Sequence, residues 1–506
     1  MTFNLASILR DSARRDPGHP AIVTPSETVS YGELDRRSDT VAAGLIAAGV
    51  TPGDSVALQL PSIPEFVVGL HGILKAGAVM IPLNTLYKSG EISYVLGHAD
   101  CRHVITIDDS AQEAYAALEQ AGGGTLFVVG DIPDGVLARP FSELEATEIT
   151  GRAPFVQRDP GDTAVLLYTS GTTGKPKGVQ LTHFQLYMNA GAHIEAFEMS
   201  PASKTIAVMP LFHSLGLSGI LNANIRAGGT VLLLPRFEPE LTLRTIQDHG
   251  ATIIHGVPTM YHALLHFPRR AEFDTSSLRM CGSAGAAIPA EIIDEMERAF
   301  GVQILEMYGL TESGPVATIN MPRNRKPYSI GTAIPGVEIE IWDENKDQLP
   351  RGPQNVGEIV IRGHNTMSGY LKNPEATAAA FTDGWLHSGD LAYMDEDGFV
   401  FFVDRKKELI IRAGYNVYPR EVEEVLYTHP AVSEAAVIGI PDPRLGEEIK
   451  AYVTLKPGQL ASGEELVQFV KDRLAAYKYP RIVEVITEMP KTPTGKILKK
   501  ELPVRA

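Results

Sequence analysis

An apolar run, Thr163–Leu167 (TAVLL), leads straight into Tyr168–Val179, YTSGTTGKPKGV, and this junction limits the fold most severely. The run reads as a buried β-strand bounded by polar residues. The stretch after it gathers Thr169, Ser170, Thr172 and Thr173 with Gly171, Gly174, Gly178, Lys175 and Lys177. Glycines let a backbone turn tightly and approach a ligand. Hydroxyls and free N–H groups donate to phosphate oxygens, and lysines add positive charge. The pattern is not Gly-x-x-x-x-Gly-Lys-Ser/Thr, because Lys175 is followed by Pro176. Leu181–Phe197 then reads as a helix, so the expectation is a strand, a phosphate-holding loop and a helix.

The rest of the chain supports an open α/β sheet. Helical spacing marks Leu5–Arg15, Tyr31–Ala48, Glu65–Ala76 and Glu91–His98, and strands are expected at Ser55–Leu60, Ala78–Pro82 and Arg102–Thr106. Such alternation implies βαβ units and a largely parallel sheet. Residues 122–160, rich in Gly, Pro and acidic side chains, read as surface loops. Later strands are expected at Lys204–Met209, Thr252–Gly256, Leu278–Gly282 and Gln303–Met307. From Gly336 the texture changes. Gly336–Trp342 and Gly357–Arg362 alternate apolar and polar residues, as half-exposed antiparallel strands do. They suggest a small β-barrel-like subdomain. Beyond the charge run Asp404–Glu408 comes a compact α+β set, so the chain divides as 1–404 and a separate α+β unit, 405–506.

With 506 residues, more than one domain is expected. A net charge of −16 excludes a general nucleic-acid-binding surface. Cys101 and Cys281 lie in apolar surroundings and read as buried free thiols, which fits a reducing, cytoplasmic compartment. There is no signal peptide pattern and no apolar run long enough to span a membrane. Peripheral lipid contact and oligomer formation stay open.

YTSGTTGKPKGV resembles the phosphate-loop signature of the adenylate-forming superfamily of acyl-CoA synthetases, adenylation domains and firefly-type luciferases. Later segments resemble it independently: Tyr308-Gly309-Leu310-Thr311-Glu312, Trp385–Asp390, Asp404–Glu408 and the final Pro490–Lys496 loop. The resemblance implies an ATP-dependent acid–CoA ligase that forms acyl-AMP and then acyl-CoA, with ATP, Mg²⁺ and coenzyme A. Thr169, Ser170, Gly171, Thr172, Thr173, Gly174 and Lys175 would hold phosphates. Gly285 and Ala286 would pack on adenine, with Tyr308, Gly309 and Thr311 beside it. Asp390 would accept both ribose hydroxyls, as a carboxylate can. Glu312 would hold Mg²⁺, which explains a carboxylate beside a phosphate loop. Arg405 would contact ribose or phosphate, Lys407 would be the hinge, and Gly414 and Asn416 would face the thiol. His213 would border the acyl pocket. Thr172, Glu312, His213 and Lys496 form the expected catalytic set, with Lys496 stabilising charge at the α-phosphorus.

The acid is expected to be a medium- or long-chain fatty acid, since Leu215, Leu217, Ile220, Val257 and Met260 should line its pocket. An aryl or cinnamate-like acid comes next. An acyl-AMP ligase loading a carrier protein and a luciferase-type oxygenase are the other readings. His213 stands where amino-acid-activating relatives commonly place an Asp, which argues against an amino-acid substrate.

Overall fold

The computed structural model describes residues 2–169, 175–492 and 495–504. Two large sheets form its body. One runs in the order Thr332–Ala333, Thr318–Ile319, Gln303–Tyr308, Met280–Ser283, Ile253–Gly256, Lys204–Ala207, Thr230–Leu233, Pro20–Val23, Thr28–Ser30. Its six central strands, from Gln303–Tyr308 to Pro20–Val23, are parallel. The other is eight-stranded and centres on Ser55–Gln59, Val79–Pro82 and Thr163–Thr169. One continuous apolar core, including Leu58, Phe66, Phe197, Ile254 and Ile304, joins the two.

The expected phosphate-loop geometry needs correction. The strand Thr163–Thr169 is followed by a second strand, Lys177–Thr182, paired antiparallel to it with Thr169 opposite Lys177. The helix begins only at His183 and ends at Ala196. The Thr182 hydroxyl caps it by accepting from the Gln185 N–H. The described flanks of the motif are therefore the two paired strands of a β-hairpin. Val179 and Leu181 alternate with polar Gln180 and Thr182, a period-two pattern that the helical reading overlooked. Residues 122–160 are likewise not all loop: Thr125–Val129 is a strand and Phe141–Glu145 a short helix. Val128 and Phe127 are buried there, so tertiary burial overrides a weak local pattern.

The antiparallel unit forms as expected, from Val337–Trp342, Gly357–Gly363, Trp385–Met394, Phe381–Thr382 and Val400–Arg405. Trp342 and Trp385 pack at its centre, 5.7 Å apart. The last of these strands passes through the turn Lys406–Glu408 into Ile410–Arg412, which belongs to a separate five-stranded sheet. That sheet and the helices Pro419–Tyr427 and Gly463–Lys471 have their own core, including Val422, Leu426, Val437, Val453 and Leu466. Cys101 and Cys281 are buried free thiols. No helix among the described residues is long and apolar enough to cross a membrane.

A buried charge cluster ties the helices beneath the eight-stranded sheet. Lys75, fully buried at the end of Pro64–Lys75, donates to Asp35 Oδ1 at 2.5 Å, Asp39 Oδ1 at 2.7 Å and Ser38 Oγ at 2.7 Å. Arg10 bonds both carboxylates from the first helix. Asp35→Ala should lower unfolding free energy by about 1–3 kcal/mol in denaturant titration, because it removes one partner of a buried cation.

Candidate active site

Parallel strands of an open sheet deliver side chains and turns to their carboxyl ends. Here three such ends converge. Ile253–Gly256 leads into Val257 and the Pro-initiated helix Pro258–Leu265. Met280–Ser283 leads into a turn where Gly285 has φ of +81°, a conformation that favours glycine. Gln303–Tyr308 ends at Tyr308, and Gly309 follows because no side chain fits there. A Cβ on Gly309 would stand 1.9 Å from the Pro315 carbonyl oxygen. The next turn, Thr311–Ser313, carries Glu312.

Between these ends and the C-terminal unit lies an open cleft. It brings together Gly285, Ala286, Tyr308, Gly309, Asp390, Arg405 and Lys496, seven of the residues singled out from sequence. The Tyr308 hydroxyl donates to Asp390 Oδ2 at 2.7 Å, and Arg405 Nε lies 3.8 Å from Asp390 Oδ1. Burial raises the Asp390 carboxyl above its usual range, against the pull of Arg405 and Tyr308. Lys496 arrives from the C-terminal unit. Its loop is docked where the Thr259 hydroxyl donates to the Gly495 carbonyl at 3.0 Å. Burial, reinforced by the Arg405 charge, pushes the Lys496 ammonium down to about 8, although Glu408 and Asp390 attract it.

His213 stands near this ammonium. Burial, then repulsion from Lys496, hold its imidazole down at about 4, so it is neutral at pH 7. Glu312 is placed at the base of the hairpin. Its Oε1 accepts from the Tyr370 hydroxyl at 3.0 Å, and Lys177 Nζ lies 4.7 Å from the Tyr370 ring centroid. The hairpin base is braced further by Tyr94, whose hydroxyl donates to the Pro176 carbonyl at 2.9 Å. Lys175 Nζ sits 5.5 Å from the Tyr94 ring centroid. Thr169 closes the first hairpin strand, and Thr311 opens the turn of Glu312. Ser170, Gly171, Thr172, Thr173 and Gly174 lie outside the described residues.

Other expected site residues lie elsewhere. Gly414 forms, with Ala413, a two-residue turn between Ile410–Arg412 and Tyr415–Val417, both with positive φ. Gly414 and Asn416 are exposed and do not line the cleft. Lys407 is exposed on the turn between the third and fourth sheets.

The cleft also holds residues that the sequence reading did not single out. Glu306 is buried two residues before Tyr308, and burial pushes its carboxyl up to about 8 despite Arg420 nearby. Lys499 Nζ bonds Glu423 at 2.8 Å and Glu408 at 3.2 Å. Period-two spacing from Tyr308 could have flagged Glu306. Nothing local flags Glu423 or Arg420, which reach the cleft only when the C-terminal unit docks.

Among the described residues, no group of three or more His, Cys, Asp or Glu is placed to hold a metal. A single carboxylate at Glu312 suits Mg²⁺, which is commonly bound by one or two carboxylates together with substrate phosphates.

The sequence and the fold have close counterparts. An AMP-binding enzyme family model matches residues 9–371, and the AMP-binding enzyme C-terminal domain matches residues 421–496. The chain is 38% identical to a long-chain-fatty-acid–CoA ligase of Bacillus subtilis (strain 168), over 98% of this chain and 94% of that one. It is also 38% identical to a feruloyl-CoA synthase of an Amycolatopsis species, over 97% and 96%. The crystal structure of an anthranilate CoA ligase in complex with anthranoyl-AMP superposes with a TM-score of 0.91 at 30% identity, covering 98% of this chain and 96% of that one. The chain belongs to the adenylate-forming superfamily, in its acyl-CoA synthetase branch, and is an ATP-dependent, AMP-forming acid–thiol ligase.

Gly309→Ala should lower kcat/KM for ATP about 10²-fold, as a displacement of order 1 Å does near reacting groups. Steady-state pyrophosphate release checks this.

Proposed function

We propose that this chain joins a hydrophobic carboxylic acid to coenzyme A in two half-reactions that use different orientations of residues 405–506 against residues 1–404. The observation that carries the reading is Lys496, held in the same cleft as Asp390, Tyr308 and Arg405. A free carboxylate is a poor acylating agent, because its leaving group is oxide. In the first half-reaction its oxygen attacks the α-phosphorus of ATP, pyrophosphate departs, and a mixed anhydride with a good leaving group forms. The CoA thiol then attacks the acyl carbon and AMP leaves.

The residues have separable roles. Asp390 holds the ribose hydroxyls, and Gly285 and Ala286 flank the adenine. Thr169 and Lys175, with the hydroxyls of Ser170, Thr172 and Thr173, hold the phosphates. Glu312 would hold Mg²⁺, which supplies charge neutralisation at the phosphates. Lys496 donates to the oxygens where negative charge develops at the α-phosphorus, and no protein nucleophile is required. Neutral His213 bounds the acyl pocket without bringing a second positive charge beside Lys496.

The thiol needs the space that Lys496 fills. Rotation about Lys407 would withdraw Lys496 and carry the exposed Gly414–Asn416 hairpin towards the cleft. Repulsion between Lys496 and Arg405 favours that withdrawal once pyrophosphate has left.

Leu215, Leu217, Ile220, Val257 and Met260 are all buried, which supports an apolar acid pocket. A medium- or long-chain fatty acid is the first reading. An aromatic acid is the second, favoured by buried imidazoles among the same segments.

Lys496→Ala should slow acyl-AMP formation by about 10²–10³-fold, the cost of losing one transition-state donor. Thioester formation from supplied acyl-adenylate should be largely spared, and rapid-quench assays separate the two. Equal loss in both steps would contradict the division of labour. The pH dependence has a defined sign. Lys496 acts as its ammonium form, and its pKa stands near 8, so kcat/KM for ATP should fall as pH rises through about 8. The thioesterification half-reaction should lack that limb.

A further inference from the structure

Two fully buried histidines lie on or against the segments proposed to line the acid pocket. His193 lies on the helix His183–Ala196 and His255 on the strand Ile253–Gly256, and their ring centroids are 6.2 Å apart. Three of their four ring nitrogens have no hydrogen-bond partner among the described residues: His193 Nε2, His255 Nδ1 and His255 Nε2. Two glycines make the room for them. A Cβ on Gly219 would stand 2.4 Å from His193 Nε2, and a Cβ on Gly282 would stand 2.3 Å from His255 Nδ1. Gly219 belongs to the segment that begins at His213, and Gly282 precedes the glycine turn. The Gly282 position also lies 2.7 Å from the Met307 methyl, and Met307 lines the nucleotide cleft. The imidazole pair thus sits behind the wall of the cleft, flanked by the same elements that carry His213, Val257 and Met307.

The protonation of this pair is fixed by its partners. His193 Nδ1 is 3.0 Å from the Asn189 carbonyl, which can only accept, so Nδ1 carries the proton. Burial holds His193 down at about 4 and His255 at about 3, the latter with some repulsion from His193, so both rings are neutral. His193 Nε2 therefore offers a lone pair only, while neutral His255 offers one donor and one acceptor. A buried polar atom left unpaired costs roughly 1–3 kcal/mol. A wholly hydrocarbon tail would leave three nitrogens so. A hydroxyl both donates and accepts, and the ring spacing lets one oxygen lie within about 2.8 Å of a nitrogen on each ring.

We infer that His193 and His255 are specificity-determining residues that select an acid carrying a hydroxyl at the end remote from its carboxylate. The hydroxyl donates to His193 Nε2 and accepts from the protonated nitrogen of His255. The inference rests on the acid–CoA ligase reading above, and its test separates the two.

Matched pairs of acids decide it: 4-hydroxycinnamate against cinnamate, and 10-hydroxydecanoate against decanoate. AMP release with ATP and CoA gives kcat/KM for each. At least one hydroxy acid should exceed its partner by about 10- to 100-fold. The pair that does so distinguishes an aromatic from an aliphatic body. In His255→Leu and His193→Phe that ratio should fall towards one, chiefly through KM, while His255→Gln should retain part of it. The wild-type ratios stand even if a variant fails to fold. Ratios at or below one in both pairs would overturn the inference, and the nitrogens would then be served by buried water. AMP release with plain acids in that case leaves the ligase reading intact. No AMP release with any acid would overturn both.

Discussion

The arrangement depends on placing one ammonium group where water is scarce and another cation is close. Lys496 is taken from solvent into a cleft beside Arg405, and its pKa falls from an ordinary 10.5 to about 8. That shift corresponds to about 3 kcal/mol against the charged form. Such a position is tolerable only with compensating negative charge. Asp390 and Glu408 supply part of it, and the phosphates of ATP would supply the rest. On the alternation proposed above, the docked orientation would be strongest when nucleotide charge is greatest and would weaken as pyrophosphate leaves.

Other features of the cleft follow from the same constraint. Asp390 is kept beside Arg405 and under the Tyr308 hydroxyl, so it can be buried yet oriented. Glu306 of the larger unit lies near Arg420 of the smaller one, whereas Arg420–Glu424 and Lys499–Glu423 are pairs within the smaller unit. The exposed Ile411 and Tyr415 flank the Ala413–Gly414 turn on the side away from the cleft. Tyr415 also packs on Tyr477, with ring centroids 4.9 Å apart.

Much of this was legible in the sequence because it depends on local chemistry. The turn after Tyr308 needs a glycine, Asp390 follows a Ser-Gly pair, and Lys496 sits in a Pro/Thr/Gly loop. The roles of Asp390 and Lys496 were read from the resemblance of these segments to the adenylate-forming family. The strand Lys177–Thr182 was missed because Lys177–Val179 was read as loop and Leu181–Thr182 as the start of the helix, two residues that fit either period. The strand at Thr125–Val129 was hidden among glycines and acids, and only its burial against the adjacent strand reveals it. Arg420 and Glu423 were silent because an amphipathic helix looks the same whether its polar face meets water or another lobe. The histidine pair was silent for a different reason. His193 and His255 are 62 residues apart, and only the packing of a helix against a strand brings them together.

The distance between the two units tests the central claim most directly. Leu137 and Leu460 are both well exposed, one in each unit, and the native cysteines are buried. Spin labels on Leu137→Cys and Leu460→Cys report that distance by pulsed electron resonance. A non-hydrolysable ATP analogue should give one narrow distance, and an acyl-adenylate with CoA should give a second, clearly different one. A single unchanged distance under both conditions would contradict the account.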